Sequence, residues 1–92
     1  MEKSVQIIIR GRVQGVSYRS WAVKKARQFG LNGWIRNKRD GTVEALVSGP
    51  REKVNEILKV FYVGPMNASV VEILQTPDSP PDTLGFIRLP TL

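Results

Sequence analysis

Residues 5–29 read VQIIIRGRVQGVSYRSWAVKKARQF, and the hydrophobic period changes within them. Val5, Ile7 and Ile9 alternate with Gln6, Ile8 and Arg10, which is the pattern of a strand with one buried face. From Tyr18 the period lengthens. Tyr18, Ala22, Ala26 and Phe29 share one helical face, while Lys24, Lys25, Arg27 and Gln28 lie elsewhere. The spacing predicts a helix over about 18–29 that stops at Gly30. A strand therefore runs into a helix through the short segment around Gly11–Ser17.

Further along, LNGWIRNKRDGTVEALVSG (31–49) reads as two strands joined at a turn, with Asp40-Gly41 as a short hairpin signal. Trp34 and Ile35 load the first of these strands. Val43, Ala45 and Val47 alternate with Thr42, Glu44, Leu46 and Ser48 on the second, and Gly49-Pro50 ends it. Val54, Ile57, Leu58 and Phe61 fall at i, i+3, i+4 and i+7 of an amphipathic helix, closed by Val63-Gly64-Pro65. ASVVEILQ (68–75) is a further strand, PDSPPD (77–82) an irregular loop, and GFIRL (85–89) a short last strand. The order strand, helix, strand, strand, helix, strand is the split βαβ, ferredoxin-like arrangement. The expected fold is α+β: an antiparallel sheet with two helices on one face, in a single domain over residues 1–92.

Composition narrows the chemistry. The chain has no cysteine and no histidine, so it offers no disulfide framework, no thiol nucleophile and only carboxylates as zinc ligands. No apolar run approaches the ~20 residues of a membrane helix. The first residues lack the long apolar stretch of a signal peptide, which points to the cytoplasm rather than export. Net charge is +6, and up to Arg39 the only acid is Glu2. That part of the chain carries a positive field which draws anions in.

The segment between the first strand and the first helix is where an anion fits. Backbone N–H groups at a helix N-terminus have no partner inside the helix, and the helix dipole adds partial positive charge there. Gly15 lets successive N–H groups converge, Ser17 can cap the helix, and Arg19 offers forked donors suited to phosphate oxygens. Spacing alone slightly favours a plain turn with a surface arginine. The segment is neither a Walker A loop nor a dinucleotide fingerprint. Asn37, near a strand end, is either a turn residue or a side chain facing this loop.

Taken together, the segments resemble the acylphosphatase family over nearly the whole chain. GRVQGVSYR (11–19) is similar to the family signature Gly-x-Val-Gln-Gly-Val-x-Phe-Arg. GWIRNKRDGTVEALVSG (33–49) is similar to its Gly-aromatic-x-basic-Asn-x-x-x-Gly-x-Val signature. Gly49-Pro50 before the second helix and VGPMNASV (63–70) after it also fit. The resemblance implies hydrolysis of acyl phosphates to a carboxylate and inorganic phosphate, with no metal and no cofactor. It implies that the loop of Gln14, Gly15, Val16, Ser17, Tyr18 and Arg19 wraps the phosphate with N–H groups. Arg19 would bind that phosphate through its guanidinium, and Asn37 would orient the attacking water. Tyr18 stands where phenylalanine is usual, Ile35 where smaller residues are usual, and GFIRLPTL (85–92) departs from the family ending. A buried Tyr18 hydroxyl needs a partner.

The missing histidine is compatible with this chemistry. An acyl phosphate expels a carboxylate whose conjugate acid has a pKa of ~4, so no general acid is needed. Asp40 and Glu44 are the nearest acids that could act as a base, but they read more simply as a turn residue and an exposed strand residue. The competing class is an RNA-binding ferredoxin-like domain. VQIIIR and TVEALVS lack the aromatics on which such domains stack bases. The expected partners are an acyl phosphate and its phosphate product, with no specific nucleic acid, no membrane and a monomeric chain.

Overall fold

The computed structural model describes Met1–Leu92. The elements are β1 (Glu2–Arg12), α1 (Tyr18–Gln28), β2 (Asn32–Asn37), β3 (Val43–Pro50), α2 (Arg51–Val63), β4 (Ser69–Pro77) and β5 (Phe86–Arg88). They form one five-stranded sheet in the order β4-β1-β3-β2-β5. The four strands of the split βαβ unit pair antiparallel, as expected. β5 adds to the β2 edge in parallel, so the complete sheet is mixed. No helix is long and apolar enough to cross a membrane.

The side chains that set the periods are those that bury. Val5, Ile7 and Ile9 of β1, Ala22 and Ala26 of α1, and Val54, Ile57, Leu58 and Phe61 of α2 join one core cluster. Fully burying a side chain such as Phe61 contributes about 1.5–3 kcal/mol. α1 closes with Gly30 N–H on the Arg27 carbonyl and Leu31 N–H on the Ala26 carbonyl, the paired bonds of a Schellman end. Tyr18, Trp21 and Phe61 pack as tilted rings with centroids 5.5–6.4 Å apart, fastening the start of α1 to α2. The Tyr18 hydroxyl finds its partner there, donating to the Phe61 carbonyl.

The parallel β5 corrects the expectation of a wholly antiparallel sheet, and two further details of the sheet also differ from the sequence expectation. The β2–β3 connection is the longer loop Lys38–Thr42. Asp40 Oδ1 accepts from the Thr42 N–H at 3.0 Å and from the Thr42 hydroxyl at 2.6 Å. Glu44, expected to be exposed, is 6% accessible, and its neighbours Leu46 and Ser48 are also buried. β3 lies at the centre of the sheet, so side chains of β1 and β2 cover its outer face as well. Glu44 accepts there from Gln6 Nε2 at 2.6 Å and from Arg36 Nε at 2.7 Å.

Candidate functional site

β1 delivers the loop to one end of the sheet. Its ladder with β4 shifts between Arg10 and Gly11. A Cβ on Gly11 would lie 2.1 Å from the Ser69 carbonyl oxygen, so this bulge admits only glycine. Beyond it, Val13 turns into the core and Gly15 takes φ 74° with open space around it. Ser17 is the one non-glycine residue with positive φ, at 63°. Such a residue stores strain, which clusters at binding and catalytic sites.

Ser17 does not cap α1 through its side chain, as the sequence suggested it could. Its left-handed backbone carries the hydroxyl away, and the first turn closes through Trp21 N–H to the Ser17 carbonyl at 3.1 Å. The backbone N–H groups from Gly15 through Ser20 therefore have no protein acceptor. They sit at the positive end of the α1 dipole, and no acid lies in the first turn of α1.

A cleft of about 330 Å³ opens at this loop, lined by Val13, Gln14, Gly15, Ser17, Tyr18, Arg19, Ser20, Asn37 and Arg88. The loop and Asn37, 18 or more residues apart in sequence, thus share one wall. Gln14 makes the join: its Nε2 donates to the Lys38 carbonyl at 2.7 Å and to the Thr42 carbonyl at 2.8 Å. These two bonds hold the loop against the end of β2, where Asn37 sits. Asn37 Oδ1 is buried and has no hydrogen-bond partner. Its backbone is pinned by Leu92 N–H on the Asn37 carbonyl at 3.1 Å. Val16 is the one loop residue that does not line the cleft; its side chain packs on the core.

The cleft is cationic and has no acidic lining residue. The ion pairs of the chain, Arg10–Glu72 and Arg36–Glu44, lie away from it. Arg19 is half-buried, and its guanidinium has neither a carboxylate nor another protein acceptor. Desolvation first, and then the charge of Arg88, hold its pKa below the usual arginine range. An arginine nonetheless keeps its charge. Asp40 and Glu44, the two acids considered as bases, do not line the cleft. No group of three or more potential metal-ligating side chains gathers in the chain.

Arg88 is the residue that sequence reasoning missed. The signal was the two-residue period of the last strand. Phe86 is buried, so Arg88 lies on the same face, toward the helices.

Fold and cleft together define a ferredoxin-like domain with a cationic cleft at its strand-to-helix loop. The sequence model of the acylphosphatase family matches residues 5–87. The chain is 52% identical over 83 residues to an acylphosphatase of Azoarcus sp. (strain BH72), covering 90% of this chain and 85% of that one. It is 46% identical over 90 residues to one from Rhodospirillum rubrum, covering 98% and 99%. The structure of an acylphosphatase from Coxiella burnetii superposes with a TM-score of 0.90 at 28% identity, over 96% of this chain and 93% of that one. The chain belongs to the acylphosphatase family, hydrolases that act on acyl phosphates.

Proposed function

We propose that residues 1–92 act as one domain that hydrolyses the carboxyl–phosphate bond of acyl phosphates without a metal ion. Arg19 and the free N–H groups of Gly15–Ser20 hold the phosphoryl oxygens. Asn37 holds the attacking water. The observation that carries this reading is the buried, unpartnered Asn37 Oδ1 beside an unpaired arginine. Buried polar atoms in a folded protein nearly always have partners, so an acceptor left open in a cleft is suited to a bound O–H donor.

The chemistry needs no titrating side chain. The water oxygen attacks phosphorus as the bond from phosphorus to the acyl oxygen breaks. The bonding pair leaves on the carboxylate, and a phosphate oxygen takes the water proton. Phosphoryl transfer passes through a loose transition state with charge spread over the phosphoryl oxygens, so positioning and fixed positive charge supply most of the rate. Asparagine is no base, but it aligns a water well.

The test is hydrolysis of benzoyl phosphate at neutral pH in EDTA by the parent, Arg19→Ala and Asn37→Ala. Turnover by the parent, lost by about 10²–10³-fold in each variant while both stay folded, is the expected result. Full turnover by Asn37→Ala would remove the water-positioning role.

A further inference from the structure

The cleft holds one more cation than the phosphoryl group requires. Arg19 and the loop N–H groups already account for that group in the reading above. Arg88 reaches the cleft from a separate strand. It pairs with Ile35 in the β2–β5 ladder, and Asn37 follows Ile35 by one same-face step. The Arg88 side chain thus enters beside the strand that carries Asn37. Its Nη1 donates to Ser20 Oγ at 3.1 Å, which anchors the guanidinium over the first turn of α1 and leaves its other donors free.

Two like charges placed together without an acid are unfavourable in the empty protein, and the depressed pKa of Arg19 reflects part of that repulsion. An anion relieves it. The depths of the two residues divide the work between them. Arg19 is half-buried beside the loop N–H groups, while Arg88 is exposed at the mouth. A substrate whose phosphate lies on the loop presents its acyl part toward the mouth.

We propose that Arg88, anchored by Ser20, forms an acyl-side anion subsite, which favours acyl phosphates carrying a second anionic group on the acyl part. The proposal rests on the hydrolase reading above and names the substrate class within it. The free guanidinium donors match a carboxylate or a phosphate bidentately. The cleft volume of about 330 Å³ leaves room for an acyl group as well as the phosphate. Arg88 is a specificity-determining residue here, apart from the reacting atoms.

The experiment compares kcat and KM for benzoyl phosphate with those for its 3-carboxy and 4-carboxy derivatives. Parent, Arg88→Gln and Arg88→Lys are measured at low and high salt. In the parent, at least one carboxylated isomer has a KM about fivefold below that of benzoyl phosphate, and salt erodes the difference. Arg88→Gln raises KM for that isomer about fivefold more than for benzoyl phosphate, with the excess confined to KM, and Arg88→Lys restores part of it. Equal losses on all three substrates, or a parent with no preference for either isomer, overturn the subsite while leaving the hydrolase reading intact. A folded parent that turns over none of the three overturns the hydrolase reading, and the subsite with it.

Discussion

Two polar clusters occupy opposite faces of the same sheet, and they are built in opposite ways. On the outer face, Glu44 is buried and fully engaged: Gln6 Nε2 at 2.6 Å on one oxygen, Arg36 Nε and Nη2 both at 2.7 Å on the other. Arg36 in turn stacks over Trp34, 4.8 Å from the ring centroid. On the helix face, in the cleft, the key polar groups are left open. Arg19 and Arg88 lack acids, the N–H groups of Gly15–Ser20 lack acceptors, and Asn37 Oδ1 lacks a donor. A satisfied polar cluster holds a fold together, because every group has exchanged water for a protein partner. An unsatisfied one costs stability until something binds, which is the mark of a site.

The sharpest way to break this contrast is to swap readouts. Arg19→Ala should lower kcat/KM for benzoyl phosphate by about 10³-fold, with stability changed by less than ~0.5 kcal/mol, since it removes an unpaired charge. Glu44→Ala should do the reverse. It leaves the partly buried Arg36 and Gln6 without their acceptor, at a cost of about 2–3 kcal/mol in urea denaturation. The catalytic rate of the remaining folded protein should stay within about threefold. A stability loss in Arg19→Ala larger than that in Glu44→Ala would collapse the distinction.

Much of the fold was legible because burial has a period. Val54, Ile57, Leu58 and Phe61 share one helical face in the sequence, and all of them are buried. The strand-to-helix join was legible from the change of period, but its spacing alone favours a plain turn, and only the resemblance of GRVQGVSYR to the family signature singles the loop out. What stayed hidden depends on contacts remote in sequence. Glu44 looks exposed in a strand read alone, and it is buried because β3 is central with neighbours on both edges. Arg88 looks like a surface residue, and only the parallel pairing of β5 on β2 brings it to the cleft. Ser17 looks like a helix cap by residue type, but its left-handed backbone aims the hydroxyl elsewhere. The placement of Asn37 beside the loop was open until the Gln14 bonds fixed the distance.

Gln14 bridges the two kinds of region, so its substitution should register on both scales. Its side-chain amide donates twice to protein carbonyls, so it is engaged as Glu44 is, yet what it holds is the cleft. Gln14→Ala removes bonds to the Lys38 and Thr42 carbonyls and should cost about 1–2 kcal/mol. It should also lower kcat/KM about tenfold, because the loop no longer registers against Asn37. Loss of stability alone would mean that the β2 end is positioned by the Leu92 and β5 contacts instead.

The smallest effect is expected at Tyr18, whose ring borders the cleft while its hydroxyl belongs to the core. Burial pushes its pKa up from the ordinary tyrosine value. The folded state therefore keeps the phenolic proton after the unfolded chain has released it. The contribution of Tyr18 to stability is complete below the unfolded pKa of ~10 and is lost as pH rises from there toward the higher folded value. At pH 7, Tyr18→Phe should cost about 1 kcal/mol, for the bond to the Phe61 carbonyl. Above pH ~10 that gap should narrow, because only the parent has this proton to lose. Tyr62 is common to both proteins and cancels. A gap that stays constant from pH 7 to pH ~11 would mean that the hydroxyl is hydrated, and that Tyr18 belongs with the open groups of the cleft rather than with the satisfied ones.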